Sequence, residues 1–261
     1  MPPVEGHVRV DSNEEGGRLA IVTIDRPPLN VLDIPTIEKL GAAIDAVARR
    51  PETVVLLLTG AGTRAFSAGV DVLDHTPDKV SRMLRSFHET IGRLSTVPAV
   101  TVAAVSGMAL GGGLELAAAC DLAVVAEDAR LAVPEIDVGC YPPVALAHWP
   151  RRVGAKLVAD LALTGRSLPA AEAKAAGLVS HVAAPGGALA AGRDLAATLL
   201  KKSPSVLRAT IETLRRLDRV EENRRLLETE SDYLGKLLGL EDLAEGIAAF
   251  AEKRPPRWTG R

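Results

Sequence analysis

Residues 99–120 read AVTVAAVSGMALGGGLELAAAC, and this stretch decides the fold. Residues 99–105 are small and β-branched apolar side chains, the composition of a strand buried on both faces. Three consecutive glycines, Gly111, Gly112 and Gly113, then hand the chain to a short alanine-rich helix ending near Cys120. Glu115 falls within the first turn of that helix. Glycines there let the backbone approach a ligand closely, and a helix N-terminus presents free N–H groups that suit an oxygen on which negative charge develops. Tight strand–helix packing, with Glu115 as an ordinary partner of the helix dipole, satisfies the same residues equally well.

Outward from this stretch the pattern repeats. Residues 18–25 and 53–59 are apolar runs of strand length, and residues 34–50 between them carry apolar side chains at helical spacing. An amphipathic helix is expected over 77–94, with further strands over 121–125, 131–133 and 178–182. Beyond residue 182 only helical patterns remain. One opens at Ser203-Pro204, an N-cap and N1 pair, and others cover 221–238 and 241–253. The alternation predicts an α/β core over residues 1–195 and a helical region over 196–261. That last region holds more apolar residues than its own length can bury, so it packs on the core or on another subunit.

Composition narrows the function. The chain has 261 residues, 31 Lys and Arg against 33 Asp and Glu, and only three Phe, two Trp and two Tyr. That balance offers no positive field for nucleic acid and no platform for stacking bases or sugars. Cys120 and Cys140 are too few for a disulfide framework, and no histidine sits at metal-ligand spacing from another ligand type. The start of the chain, Met1-Pro-Pro-Val-Glu-Gly-His7, has no leader pattern, and no apolar run is long enough to span a membrane. A cytoplasmic protein without a metal is expected.

Among the motifs, Gly60-Ala-Gly62-Thr-Arg-Ala65 follows a strand and matches the looser dinucleotide fingerprint, which keeps a nicotinamide-dependent oxidoreductase as a rival reading. Ala65-Phe-Ser67-Ala-Gly69 has the outline of a nucleophile elbow around Ser67. Glu135 carries more weight, because it follows Leu131-Ala-Val-Pro134 in an otherwise apolar run, where a carboxylate needs a reason. Two carboxylates in apolar surroundings beside a helix N-terminus have the composition of a general acid/base pair.

Taken together, Ala65-Phe-Ser-Ala-Gly-Val-Asp71, Ala109-Leu-Gly-Gly-Gly-Leu-Glu-Leu116, Asp121-Leu122, Pro134-Glu135 and Ala249-Phe-Ala-Glu-Lys-Arg-Pro-Pro256 resemble the enoyl-CoA hydratase/isomerase, or crotonase, superfamily. The resemblance covers nearly the whole chain in order. It implies a spiral of ββα units followed by a helical trimerisation region, and so a homotrimer or a dimer of trimers. It implies an acyl-CoA thioester substrate, with coenzyme A as part of the substrate and no separate cofactor. Its oxyanion hole falls on the backbone N–H groups of Val70 and Gly112, and its acid/base pair on Glu115 and Glu135. Hydratases of the family keep both glutamates, whereas double-bond isomerases often keep only the equivalent of Glu135. The resemblance also places Ala68 and Val72 along the adenine groove, and Phe250 and Lys253 on the adenine and phosphate of a neighbouring subunit. Reversible addition of water to an α,β-unsaturated thioester is the activity it implies, with isomerisation or thioester hydrolysis as alternatives.

One departure stands out. Most relatives have Pro-Gly-x-Gly-Gly after the second glutamate, but this chain reads Gly139-Cys-Tyr-Pro142-Pro143-Val-Ala-Leu146. Pro143 has no N–H, so the backbone donor that usually helps hold the water is missing. This segment and Arg26-Pro-Pro-Leu-Asn-Val-Leu-Asp33 are similar to cyclohexa-1,5-diene-1-carbonyl-CoA hydratases, which act on a ring acyl group.

Overall fold

The computed structural model describes residues 7–261, with His7, Asn13, Asp218 and Arg219 as backbone only. The leader reading of residues 1–6 lies outside the described residues. Strand β1 (His7–Glu14) pairs antiparallel with β2 (Leu19–Asp25), and α1 (Ile34–Ala48) follows. The chain then repeats one motion, laying a strand in a large sheet, a strand in a small sheet, and a helix. The first cycle is β3 (Val55–Gly60), β4 (Ala65–Ser67) and α2 (Val80–Leu94), and the second is β5 (Val100–Val105), β6 (Met108–Leu110) and α3 (Gly112–Ala118). The third is β7 (Leu122–Ala126) and β8 (Arg130–Ala132), followed by α4 (Pro143–Val153), α5 (Ala155–Thr164) and α6 (Ala170–Ala175). Finally come β9 (His181–Ala183), α7 (Ala188–Leu200), α8 (Pro204–Asp232) and α9 (Glu241–Glu252).

The large sheet has the order β1-β2-β3-β5-β7-β9 and the small one β4-β6-β8, all neighbours parallel except β1 with β2. This is the spiral of ββα units that the resemblance implies. Both faces of the large sheet are covered, which is why its central strands are apolar without alternation. Val22, Leu56, Leu58, Ala103 and Val105 face the main core under α1 and α2, while Ile21, Leu57, Val102 and Ala104 face Ala196 and Leu200 of α7 and Ile211 of α8. Position 195 therefore falls inside a helix that packs on the sheet.

Several elements differ from the sequence reading for local reasons. Strand β1 is an edge strand with polar and charged side chains, so it lacks a strand's apolar signature. Strands β4 and β6 are three residues each, too short for a period to show. The two helices expected over 203–238 are one, α8, which ends in a π turn at Tyr233–Leu237. Ser203 precedes it, but its hydroxyl pairs with Ser205 at 3.0 Å rather than capping a helix N–H.

The dinucleotide reading of Gly60–Ala65 is overturned. That fingerprint must open a helix onto a pyrophosphate, and here the turn leads straight into β4. Gly60 is glycine because a Cβ there would collide with the backbone of Phe66. Ser67 is equally local: it is buried, and its hydroxyl accepts the N–H of Gly69 at 3.1 Å.

A half-buried clasp fixes α8 to the sheet. The Arg215 guanidinium donates to Asp121 Oδ1 at 2.8 Å and Oδ2 at 2.5 Å, to the carbonyl of Val97 at 2.6 Å and to that of Ala99 at 3.0 Å. Asp121 Oδ2 also accepts from the N–H and hydroxyl of Thr101, at 2.7 and 2.8 Å. With side-chain exposures of 12% and 18%, neither charge has much water to fall back on. Arg215→Ala is expected to cost ~3–5 kcal/mol by stranding Asp121 and two carbonyls. Thermal unfolding measures this, and a loss below about 1 kcal/mol would show the clasp to be an ordinary surface pair.

Candidate active site

A cavity of about 410 Å³ opens where the loops following β4, β6 and β8 converge. Its walls include Ala68, Val70 and Val72 from the first loop, Gly111, Gly112 and Glu115 from the second, and Pro134 and Glu135 from the third. Pro143 at the start of α4 closes one side, and Tyr141, Tyr233 and Phe250 line it as well.

The three glycines make this convergence possible. Gly111 has φ +49° and lies directly against the Glu135 carboxylate, where a Cβ would collide with Oε1. A Cβ on Gly112 would lie 2.8 Å from Val70 Cγ2, and one on Gly113 would lie 2.5 Å from the Ser67 carbonyl. Gly69 in turn packs so closely that a Cβ on it would lie 2.7 Å from the Leu110 carbonyl.

Two backbone donors result. Val70 forms a parallel bridge with Leu32 in which Leu32 donates to Gly69 O at 2.9 Å and Asp71 donates to Leu32 O at 3.1 Å. Because successive N–H groups in extended chain alternate sides, the Val70 N–H points away from Leu32. Gly112 is the first residue of α3, so its N–H has no acceptor within the helix.

Both carboxylates are held in unfavourable surroundings for charge. Glu115 is 2% exposed, and its Oε1 accepts the Ala145 N–H at 2.8 Å. Burial pushes it from the ordinary 4.5 up to about 7, against the opposing pull of the Ala145 and Val144 N–H groups. Glu135 is half-buried as a residue, but its Oε2 is sealed from solvent and has no hydrogen-bond partner among the described residues. Burial first, and then the charge of Glu115, hold Glu135 well above the ordinary carboxylate range. The Cys140 thiol beside them is pushed up to about 12 by burial and by Glu135, so it is no nucleophile at neutral pH.

Pro143 fits this arrangement. It occupies the first turn of α4, where a missing N–H leaves no helical bond unmade, and the next N–H groups serve Glu115. Phe250, 55% exposed, lines the cavity of its own chain. Helix α9 packs on the turn Pro134–Val138, with Gly246 against the Val138 carbonyl and Gly139 against the backbone of Asp242. Lys253 is not among the cavity residues; it closes α9 in a left-handed conformation, with φ +54°. Tyr141 and Tyr233 escaped the sequence reading. Their rarity was the available signal, since both tyrosines of the chain meet here, ring edge to ring face at 5.2 Å.

Residues 14–261 match the enoyl-CoA hydratase/isomerase family. The chain belongs to that family.

Among its relatives is a cyclohexa-1,5-dienecarbonyl-CoA hydratase of Thauera aromatica, 35% identical over 95% of this chain and 95% of the relative. A carnitinyl-CoA dehydratase of Salmonella arizonae is 34% identical over 94% of this chain and 96% of its own. The crystal structure of an enoyl-CoA hydratase from Mycobacterium avium subsp. paratuberculosis superposes with a TM-score of 0.86 at 29% identity, covering 99% of this chain and all of that one. The chain is thus a crotonase-superfamily enzyme. Among its described residues no three His, Cys, Asp or Glu gather as a metal site, and no helix is long and apolar enough to cross a membrane.

The raised carboxylates have a thermodynamic consequence in this enzyme. A carboxylate whose folded pKa exceeds its unfolded value binds more protons when folded, so stability falls as pH rises. The stabilising contribution of Glu115 is complete below about 4.5 and is lost as pH rises through about 7. Glu115→Gln should therefore raise the melting temperature more at pH 8 than at pH 5. Equal shifts at both pH values would show that Glu115 is ionised throughout.

Proposed function

We propose that this enzyme adds water reversibly across the double bond of an α,β-unsaturated acyl-CoA thioester. The observation that carries the reading is the paired, buried carboxylates Glu115 and Glu135 beside the backbone donors of Val70 and Gly112. The thioester oxygen sits between those two N–H groups, which stabilise the enolate; one such donor is worth ~10²–10³ in rate. Glu115, steadied by Ala145 N–H, is the more acidic carboxyl and takes the proton of the water. The water oxygen bonds to the β-carbon, and the double-bond electrons move onto the thioester oxygen. Glu135, kept protonated by burial and by its neighbour, then gives its proton to the α-carbon.

Ala68 and Val72 contact the adenine along the groove, and Phe250 and Lys253 of a neighbouring subunit reach its adenine and phosphate. Coenzyme A arrives as part of the substrate, and the reaction uses neither metal nor redox cofactor. The stiff Pro142-Pro143 wall and the likeness to a cyclohexadienecarbonyl-CoA hydratase favour a compact, cyclic acyl group over a long linear one. The compartment is cytoplasmic.

Val206, Leu217, Val220 and Leu227 lie exposed at helical spacing along α8. They cover one another between copies, so the helical region read over 196–261 assembles a trimer or a pair of trimers. Sedimentation should give such a species, with Val220→Glu/Leu227→Glu shifting it to smaller ones; a monomeric wild type would refute this assembly.

The activity is tested by incubating the protein with linear, branched and cyclic enoyl-CoA esters and identifying products by mass. A gain of one water with at least one ester is expected. Glu115→Gln and Glu135→Gln should each lower that turnover ~10²–10⁴-fold while leaving ester binding within a few-fold. Near wild-type turnover in either variant would end the paired-carboxylate mechanism, and free CoA as the product would indicate thioester hydrolysis instead.

A further inference from the structure

Tyr233 is 1% exposed, and its hydroxyl is sealed from solvent with no oxygen or nitrogen partner among the described residues, only the weak sulfur of Cys140 nearby. A buried hydroxyl left unpaired costs ~1–3 kcal/mol, so its position calls for an explanation. It lines the same cavity as Glu115 and Glu135. Its ring is fixed between Tyr141, at 5.2 Å and 75°, and His75, at 6.5 Å and 45°. Tyr141 is anchored in turn by donating to the Thr229 carbonyl at 2.8 Å. The backbone at Tyr233 is the π turn ending α8, a local irregularity of the kind that re-aims a side chain at functional sites.

The neighbouring groups restrict what the hydroxyl can do. The Cys140 thiol beside it is directed to the Glu135 carbonyl at 3.5 Å, and sulfur is a weak acceptor. Burial, then Cys140 and then Glu135, hold the phenol far above its ordinary value, so it stays protonated and acts as a donor rather than a base. Glu135 Oε2 is a second buried polar atom without a partner in the same cavity. A small oxygen ligand that gives a hydrogen bond to a carboxylate and accepts one from a phenol satisfies both. Backbone cannot serve as that donor from α4, because Pro143 has no N–H and Ala145 N–H is taken by Glu115.

We propose that the Tyr233 hydroxyl is a catalytic group that donates a hydrogen bond to the oxygen being added, as incoming water and as the β-hydroxyl of the product. This inference rests on the hydratase reading above. Tyr233 transfers no proton; it occupies one lone pair of the oxygen while a glutamate takes the proton and the other lone pair faces the β-carbon.

Tyr233→Phe keeps the ring and its packing and removes only the donor. Two rates separate its roles: hydration of crotonyl-CoA, which needs the positioned oxygen, and exchange of the α-hydrogen of butyryl-CoA with deuterated water, which needs enolate formation but no attack by water. The variant should lose about 10- to 100-fold in kcat for hydration, the kinetic equivalent of one hydrogen bond, with little change in KM. Its α-exchange rate should stay near that of the wild type, and its melting temperature should not fall. Parallel loss of both rates would mean that Tyr233 only supports the Glu135 turn, and unchanged hydration would mean that it contacts no reacting oxygen; either overturns the proposal. A wild type that exchanges α-hydrogen yet hydrates no ester from a full panel would instead overturn the hydratase reading itself.

Discussion

Three turns of the spiral meet at Gly111, Gly112 and Gly113, and the absence of three Cβ atoms is what lets them meet. Each glycine faces a different neighbour: Glu135 from the loop after β8, Val70 from the loop after β4, and the Ser67 backbone within β4. A methyl group at any of the three would push one loop outward. The donors of Val70 and Gly112 would separate, or Glu135 would leave the cavity wall. The constraint is steric and short-ranged, yet it sets the distances on which charge stabilisation depends. The large sheet behind it supplies rigidity, and the small sheet of three-residue strands serves chiefly to deliver loop after loop to one place.

The electrostatics follow from that packing. Bringing two carboxylates into an apolar cavity is unfavourable for both, and the protein relieves Glu115 more, through the Ala145 N–H on its Oε1, while Glu135 keeps one oxygen without a partner among the described residues. Asymmetry of this kind separates a proton acceptor from a proton donor without any difference in residue type. Pro142 and Pro143 contribute by fixing where α4 begins, since the helix start determines which N–H groups reach Glu115.

Much of this was legible in the sequence, for identifiable reasons. The buried strands announce themselves because parallel strands covered on both faces must be apolar throughout, and Glu135 announces itself as a carboxylate in an apolar run. The buried strand, its glycine hand-over and the helix that follows could likewise be read from residues 99–120, whereas the ββα order came only with the family resemblance. Strands β4 and β6 could not, being held by loop geometry rather than by a period. Tyr233 lies near the end of a long helix whose surroundings in sequence are Glu, Ser, Asp and Lys, and nothing local says that one ring turns inward. The return of α9 to its own chain depends on backbone contacts at Gly139 and Gly246, far apart in sequence and unremarkable in composition.

The seating of α9 also bears on how the protein is made. The turn that carries Glu135 rests on one side against a helix translated more than a hundred residues later, with Gly246 against Val138 and Asp242 against Gly139. On a ribosome, the sheets and the glycine junction can assemble while that side of the turn is still bare. The acid/base pair then gains this support only once that much later segment has emerged, and a nascent chain can hold the fold before it holds a finished catalytic wall.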